Sequence, residues 1–371
     1  MKITRTTTTR LLSKPARSAR ASKCTALGLA AMMLAGCASA SATGDAAKGE
    51  NDAPAEVRLG HFANVTHAPA LVGLSEGLFT DALGDVELKT EVFNAGPAAI
   101  EALSAGAIDA TYIGPNPSIN TFIQSGGESA HIIAGATSGG AALVVREGID
   151  SPDDLEGANI ATPQLGNTQD VALRSWLADE GFETSTAGGG DVTITPTENA
   201  QTLTLFQQGG VDGAWLPEPW VSRLVVEAGA HVLVDEADLW KDGAFPTTVL
   251  LVRAEFAEQH PDVVEDLLEG HVASVAWLDE NAGEAPTVIN DALEEATGKR
   301  LSDDVLARAL ENVTFTVDPH AETFETLVED GLAAGTQKEG SIDGLFDLRT
   351  LNALLEKNGE EPVSAADLGE E

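Results

Sequence analysis

The strongest constraint on fold is a pattern that occurs twice along the chain. Apolar runs, turns of small residues and helical segments alternate from Val57 to Val145, and a similar series follows Ser151-Pro152. In the first series, strands are expected at Val57–Phe62, Val86–Phe93, Ala110–Ile113 and His131–Ala136. Helices are expected at Ala68–Gly77, Ala98–Ala105 and Ser118–Gln124, with Ala141–Val145 extended again. The second series places strands at Asn159–Thr162, Val192–Thr195, Gly213–Leu216 and Val232–Asp235, and helices at Asp170–Glu180 and Ala200–Gln208. Thr247–Arg253 then reads as extended, and the chain beyond it as mainly helical, with an amphipathic segment at Pro261–Glu280. Strand–helix alternation of this kind argues for α/β architecture with open parallel sheets. Two series with one insertion point argue for two lobes, each an open sheet flanked by helices, with a ligand cleft between them. On this reading residues 56–146 and 246–357 form lobe one with its C-terminal helices, and 147–245 form lobe two. Residues 358–371 are expected to be a polar, frayed tail.

The N-terminus carries a processing signal. Seven basic residues and no acid lie within residues 1–36, followed by the apolar run Thr25–Gly36 and Leu34-Ala35-Gly36-Cys37. A basic start, a short apolar core and small residues at the cut describe a secretory signal peptide. The apolar run is shorter than the ~20 residues needed to span a bilayer. The Cys after Gly36 offers a thiol for lipidation, so Cys37 is the expected lipid anchor on the extracytoplasmic face of the cell membrane. Residues 37–55 lack large apolar side chains and read as a flexible tether.

Removing the signal changes the charge balance. It takes 7 of the 21 basic residues and none of the 59 acids, leaving 14 against 59 and a formal charge of −45. Nucleic acid and anionic lipid are poor partners for such a surface. Cys37 is then the only cysteine, so no intramolecular disulfide is expected and stability must come from a core. A monomer is expected, and acid runs such as Asp262–Glu269 read as solvated helix faces, not as a metal site.

Candidate chemistry lies in loops at the carboxyl ends of strands, where open α/β sheets bind ligands near helix N-termini. Five loops, 64–67, 94–97, 114–117, 137–140 and 165–169, are together rich in Gly, Ser, Thr and Asn. Such residues suit an oxyanion with several oxygens, and they also serve as ordinary turn and cap residues. Trp215 and Trp220, with Glu218 and Arg223, could stack on an organic group or pack lobe against lobe. Arg174 could pair with an anion or face the surface. Nucleophile elbows, P-loops and zinc-protease motifs are absent, as is any Cys/His pair after processing, so the sequence assigns no catalytic residue, cofactor or metal.

Several motifs carry a family resemblance. They are Gly96-Pro97, the run Ile100-Glu101-Ala102-Leu103-Ser104-Ala105-Gly106-Ala107-Ile108-Asp109, and Ile113-Gly114-Pro115-Asn116-Pro117. Ser151–Gly157, Gly166-Asn167-Thr168 and Val211–Trp220 continue them. From about Glu56 to Lys357 the chain resembles ABC-importer solute-binding lipoproteins of the nitrate/sulfonate/taurine group. That resemblance implies a periplasmic-binding-protein type II fold whose lobes close on ligand and then meet ABC permease subunits. It implies a small anionic organic ligand, an aliphatic sulfonate or taurine first, with nitrate, bicarbonate or a thiamine pyrimidine precursor as alternatives. An enzyme or receptor-linked sensor on the same fold is the rival class. The ligand contacts it implies are Asn64, Thr66, His67, Gly96, Pro97, Asn116, Ser138, Gly139, Asn167, Thr168, Glu218 and Trp220. Sulfonate-binding members often place Gln or Ser after the first strand, where this chain has Asn-Val-Thr-His.

Overall fold

The computed structural model describes residues 56–371. The expected signal peptide, the Cys37 anchor and the 37–55 tether lie outside the described residues. The first segment comprises β1 (Glu56–Phe62), α1 (Ala68–Ser75), α2 (Leu78–Leu83), β2 (Glu87–Phe93), α3 (Gly96–Ser104), β3 (Ala110–Ile113), α4 (Pro115–Ser125) and β4 (Ala130–Gly139). The second comprises β5 (Ala141–Val145), β6 (Asn159–Thr162), α5 (Thr168–Asp179), β7 (Thr193–Pro196), α6 (Asn199–Gln208), β8 (Gly213–Pro217), α7 (Trp220–Ala228) and β9 (His231–Asp235). The chain then returns through β10 (Pro246–Arg253), α8 (Ala254–Gln259), α9 (Pro261–Glu280), α10 (Ala285–Thr297) and α11 (Asp303–Glu311). It ends with β11 (Val313–Phe315), α12 (Phe324–Ala333), β12 (Phe346–Asp347), α13 (Arg349–Asn358) and β13 (Gly369–Glu370).

These strands form two sheets with one shared plan. The larger runs β13-β12-β4-β10-β3-β1-β2, with β11 also on β4, and the smaller runs β7-β6-β8-β5-β9. In both, three parallel strands adjoin an antiparallel strand delivered from the other lobe: β10 lies between β3 and β4, and β5 between β8 and β9. The sheets are therefore mixed, where the alternation alone implied parallel ones. The reason is that the two crossover segments become strands themselves.

The lobe boundary also shifts. Residues 141–145 were assigned to lobe one, but Leu143 pairs with Trp215 and Val234 in the second sheet. The chain crosses at Gly139-Gly140, both with left-handed backbone (φ 78° and 76°), a conformation glycine adopts without steric cost. The 137–140 loop is correspondingly absent, since β4 runs through Gly139 and pairs with β10 and β11. The tail is not frayed: β13 pairs with β12, and Ala365 and Leu368 are buried in the first core.

Packing follows the strand period. In β5, Leu143 and Val145 join Ile160, Leu173, Leu177 and Trp215 on one face of the sheet. Ala142 and Val144 join Leu203, Phe206, Leu216 and Leu224 on the other. Both faces are covered by helices, so the strand is apolar throughout. Lobe one packs Leu59, Tyr112, Leu251, Leu267 and Phe324 in a large core, and Val65, Leu71, Leu278 and Ile289 in a second cluster.

One polar arrangement recurs in both lobes. Asp109 precedes β3, accepts from the Arg58 backbone N–H (3.0 Å) and side chain (2.8 Å), and pairs with Arg253 at 3.1 Å. Asp212 precedes β8, accepts from the Asn159 backbone N–H (2.9 Å) and pairs with Arg146 at 3.1 Å. In each case an arginine that closes or follows a crossover strand is tied to the aspartate of the lobe it has entered. Breaking a buried ion pair by removing one partner costs about 3 kcal/mol or more, whereas exposed pairs cost at most ~1 kcal/mol. The Asp109 side chain is 2 % exposed and that of Asp212 36 %. Urea denaturation should therefore show Asp109→Ala losing about 3 kcal/mol and Asp212→Ala clearly less; equal losses would contradict this account.

Candidate functional site

The carboxyl ends of β1, β2 and β3 face those of β6, β7 and β8 across a narrow cleft. A cavity of about 20 Å³ lies there. Lobe one contributes Phe62, Asn64, Thr66, His67, Asn94, Gly114 and Thr247, and lobe two contributes Pro163, Asn167, Thr168, Gln169, Asn199 and Pro217. This is where open α/β sheets place ligands.

The first wall is set by the chain leaving β1, which makes a 3-10 turn over Val65–His67 before α1 begins. The Phe62 N–H donates to His67 Nδ1 at 3.3 Å, and the two rings stack at 4.3 Å. Because Nδ1 accepts, the neutral ring carries its proton on Nε2. Burial, and then the neighbouring His61, hold the His67 pKa well below its ordinary value. Thr137 Oγ1 donates to the Thr66 carbonyl (2.7 Å) and fixes this turn against β4.

The second wall is the start of α5. Asn167 stands just before it without a side-chain bond to the helix backbone, accepting instead on Oδ1 from the Gly96 N–H of lobe one (3.0 Å) and donating to Gln169 Oε1 (2.8 Å). The neighbouring Thr168 Oγ1 is buried without a hydrogen-bond partner, as is Asn199 Oδ1 at the first residue of α6. Gly114 is needed for the close approach of the lobes, since a methyl group there would collide with Thr168 Oγ1. On the far side Trp220 Nε1 donates to Asn64 Oδ1 at 2.9 Å. Asn94 Nδ2 donates to Glu198 Oε1 at 3.4 Å, so three side-chain hydrogen bonds join the lobes directly across the cleft.

None of the thirteen lining residues is charged, with His67 held neutral. The cavity offers amides, threonine side chains, an imidazole and the N-terminal ends of α5 and α6, whose free N–H groups carry partial positive charge. Such a set can hold a small anion by neutral donors. It contains no carboxylate, thiol or amine to act as base or nucleophile.

Of the sequence-derived contacts, Asn64, Thr66, His67, Asn167 and Thr168 line this cavity. Gly96 adjoins it through its bond to Asn167, Trp220 walls a neighbouring chamber, and Pro97 lines a separate groove. Four lie elsewhere. Asn116 donates to the Leu327 carbonyl (3.2 Å) and ties α4 to α12. Ser138 is engaged with the Phe245 backbone, and Gly139 is at the crossover. Glu218 is buried beside the same crossover, accepting from Ser222 Oγ (2.9 Å), Arg308 (3.1 Å) and Asn312 (2.9 Å). Burial raises its pKa against the lowering effect of these donors.

The open alternatives resolve structurally. Arg174 is buried and doubly bonded to Asp170 (3.0 and 3.1 Å), and it does not line the cavity. Trp215 is a core residue whose Nε1 donates to Glu236 (2.7 Å). Asn94, Gln169, Asn199 and Thr247 also line the cavity and were not among the expected contacts. The signal for Asn199 was its place after β7, equivalent to loops already singled out.

A buried histidine behind the His67 wall makes stability pH-dependent. His271 accepts from Tyr112 at 2.8 Å and donates to the Gly135 carbonyl at 2.7 Å, while burial lowers its pKa from 6.5 to about 4. The folded state therefore resists a proton that the unfolded chain takes up, and stability falls as pH drops from 6.5 toward 4. At about 1.4 kcal/mol per pKa unit the loss is ~3 kcal/mol. His271→Gln can donate and accept as the neutral ring does without titrating. Denaturation midpoints across pH 4–7 should show it lacking this component of the slope; a slope like that of the wild type would refute the assignment.

Comparison with known proteins places this geometry. A protein of Bacillus subtilis (strain 168), provisionally named as aliphatic sulfonates-binding, is 26% identical over 90% of this chain and 96% of its own length. The taurine-binding periplasmic protein of Escherichia coli (strain K12) is 29% identical over 53% of this chain and 59% of its own length. The alkanesulfonate-binding protein from Xanthomonas axonopodis pv. citri, solved bound to MOPS, has the same fold. It superposes with a TM-score of 0.64 at 20% identity, covering 77% of this chain and 96% of that one. The family description "NMT1-like family" matches residues 50–290, more than half of the 371. The chain belongs to the NMT1-like family.

Proposed function

We propose that this protein is the solute-binding component of an ABC importer and that its cleft takes a small anionic organic solute, an aliphatic sulfonate or taurine. The observation that carries the reading is the cavity between opposed strand ends, with uncharged donors on both lobes and a buried Thr168 hydroxyl lacking a protein partner. A sulfonate presents three oxygens to such donors. The names of the relatives support the same class, being aliphatic sulfonates-binding and taurine-binding proteins. They also support binding without turnover, and an uncharged cavity fits that role. The three cross-cleft bonds, Gly96 to Asn167, Trp220 to Asn64 and Asn94 to Glu198, would hold the lobes closed on the solute and present one surface to the permease. A monomer anchored through Cys37 would stay within reach of that permease.

Three measurements test the proposal. Thermal-shift titration with ethanesulfonate and taurine should raise the melting temperature, since ligand at a hundred times Kd adds about 2.7 kcal/mol; no shift at millimolar ligand would sink it. Thr168→Val should keep the ligand-free stability yet weaken sulfonate binding at least ~10-fold, the scale of one hydrogen bond to a charged group. Cys37→Ser should move the protein from the membrane fraction to the medium, and an unchanged distribution would rule out the anchor.

A further inference from the structure

The loop that brings Asn167 to the cleft is closed by a side chain outside the cavity. Asp170, in the first turn of α5, is fully buried and accepts four hydrogen bonds. Its Oδ1 accepts from Thr162 Oγ1 (2.8 Å) and Arg174 Nη2 (3.1 Å). Its Oδ2 accepts from the Gly166 N–H (2.9 Å) and Arg174 Nε (3.0 Å). Thr162 ends β6 and Gly166 turns with left-handed backbone (φ 76°), so one carboxylate joins both ends of the loop. A polar residue just before a helix usually turns its side chain back onto the first free N–H groups. Asn167 does not. With Asp170 closing the loop, Asn167 Oδ1 reaches across to the Gly96 N–H of lobe one (3.0 Å). Arg174, whose side chain is 1 % exposed, balances the Asp170 charge, so an anion in the cleft meets no net repulsion from behind the loop.

We propose that Asp170 and Arg174 are positioning residues for the solute: they hold residues 163–167 so that Asn167 faces Gly96 of lobe one, and so set affinity without touching the solute. Their effect on affinity rests on the reading of the cleft as a sulfonate site; their effect on the loop does not. The pair carries a cost that stability alone does not require. Two charges are withdrawn from water, and apolar residues of similar volume often serve stability as well. The Arg174 Nη1 is even left buried without a hydrogen-bond partner. Apolar residues could not, however, hold the Thr162 hydroxyl and the Gly166 N–H at once.

Two variants of the full chain, each with two readouts, test this. Asp170→Ala/Arg174→Met removes the carboxylate and its partner together and leaves no unpaired buried charge. Thr162→Val removes one loop bond with an isosteric side chain and keeps the ion pair, so it carries the test if the first variant does not fold. In the ligand-free protein, hydrogen exchange at the Gly96 amide should quicken at least ~10-fold in the first variant and about threefold in the second. Amides of β5 should keep their rates, whereas a mere loss of stability would quicken both regions together. Calorimetry with ethanesulfonate and taurine should show affinity falling by the same factors. In an Asn167→Ala background either change should cost less than about twofold more, because its effect runs through Asn167. Unchanged Gly96 exchange, or affinity losses that add in full to that of Asn167→Ala, overturns the inference and leaves the sulfonate reading standing. If the wild type binds neither ligand, the sulfonate reading falls and Gly96 exchange alone decides the positioning role.

Discussion

Two aspartates, one per lobe, hold the positions on which everything else depends. Asp109 and Asp212 each stand just before the third parallel strand of a lobe, cap the first strand, and receive an arginine at or just beyond the end of the crossover strand. The carboxylate fixes three strands at once, and the cleft lies at their opposite ends. This gives a physical meaning to the Ala-Gly-Ala-Ile-Asp run and to Gly-Gly-Val-Asp. A glycine ends a helix, an apolar residue enters the core, and the acid locks the sheet. The most specific motif of the chain is thus structural, set far from the solute.

The cavity and the surface pull in opposite electrostatic directions. A chain with a formal charge of −38 repels anions at a distance, but mobile ions damp that field within ~8 Å at physiological salt. Inside the cleft only local donors matter. Neutral amides and helix termini attract an anion without the desolvation cost that a buried arginine would add. The arginines nearby are committed elsewhere, Arg223 to Glu227 and Arg174 to Asp170.

Much of the fold was legible because strand and helix periods differ and because glycine and proline mark the turns. The two-lobe plan followed from the repeated series. What escaped notice required knowledge of pairing. Ala141–Val145 is apolar whichever sheet it joins, and nothing local says that it completes the second. Residues 358–371 look polar because Ala365 and Leu368 are few, yet those two are buried. For the candidate site, Asn64, Thr66, His67, Asn167 and Thr168, all from loops after strands, line one cavity. Asn116 and Glu218 belong to similar loops, but their side chains turn toward α12 and α11. Direction of a side chain within a loop is decided by packing that a linear sequence does not display.

The exchange of crossover strands has a consequence for how the molecule is made. Strands β5 to β9 are contiguous, so the second lobe can assemble its sheet as soon as residue 235 is available. The first lobe cannot. Its β3 and β4 have no direct bond and are bridged only by β10, more than a hundred residues later. During vectorial synthesis the N-terminal half must wait, incomplete, for a strand that emerges after the last strand of its neighbour. The lobe encoded first is the lobe finished last.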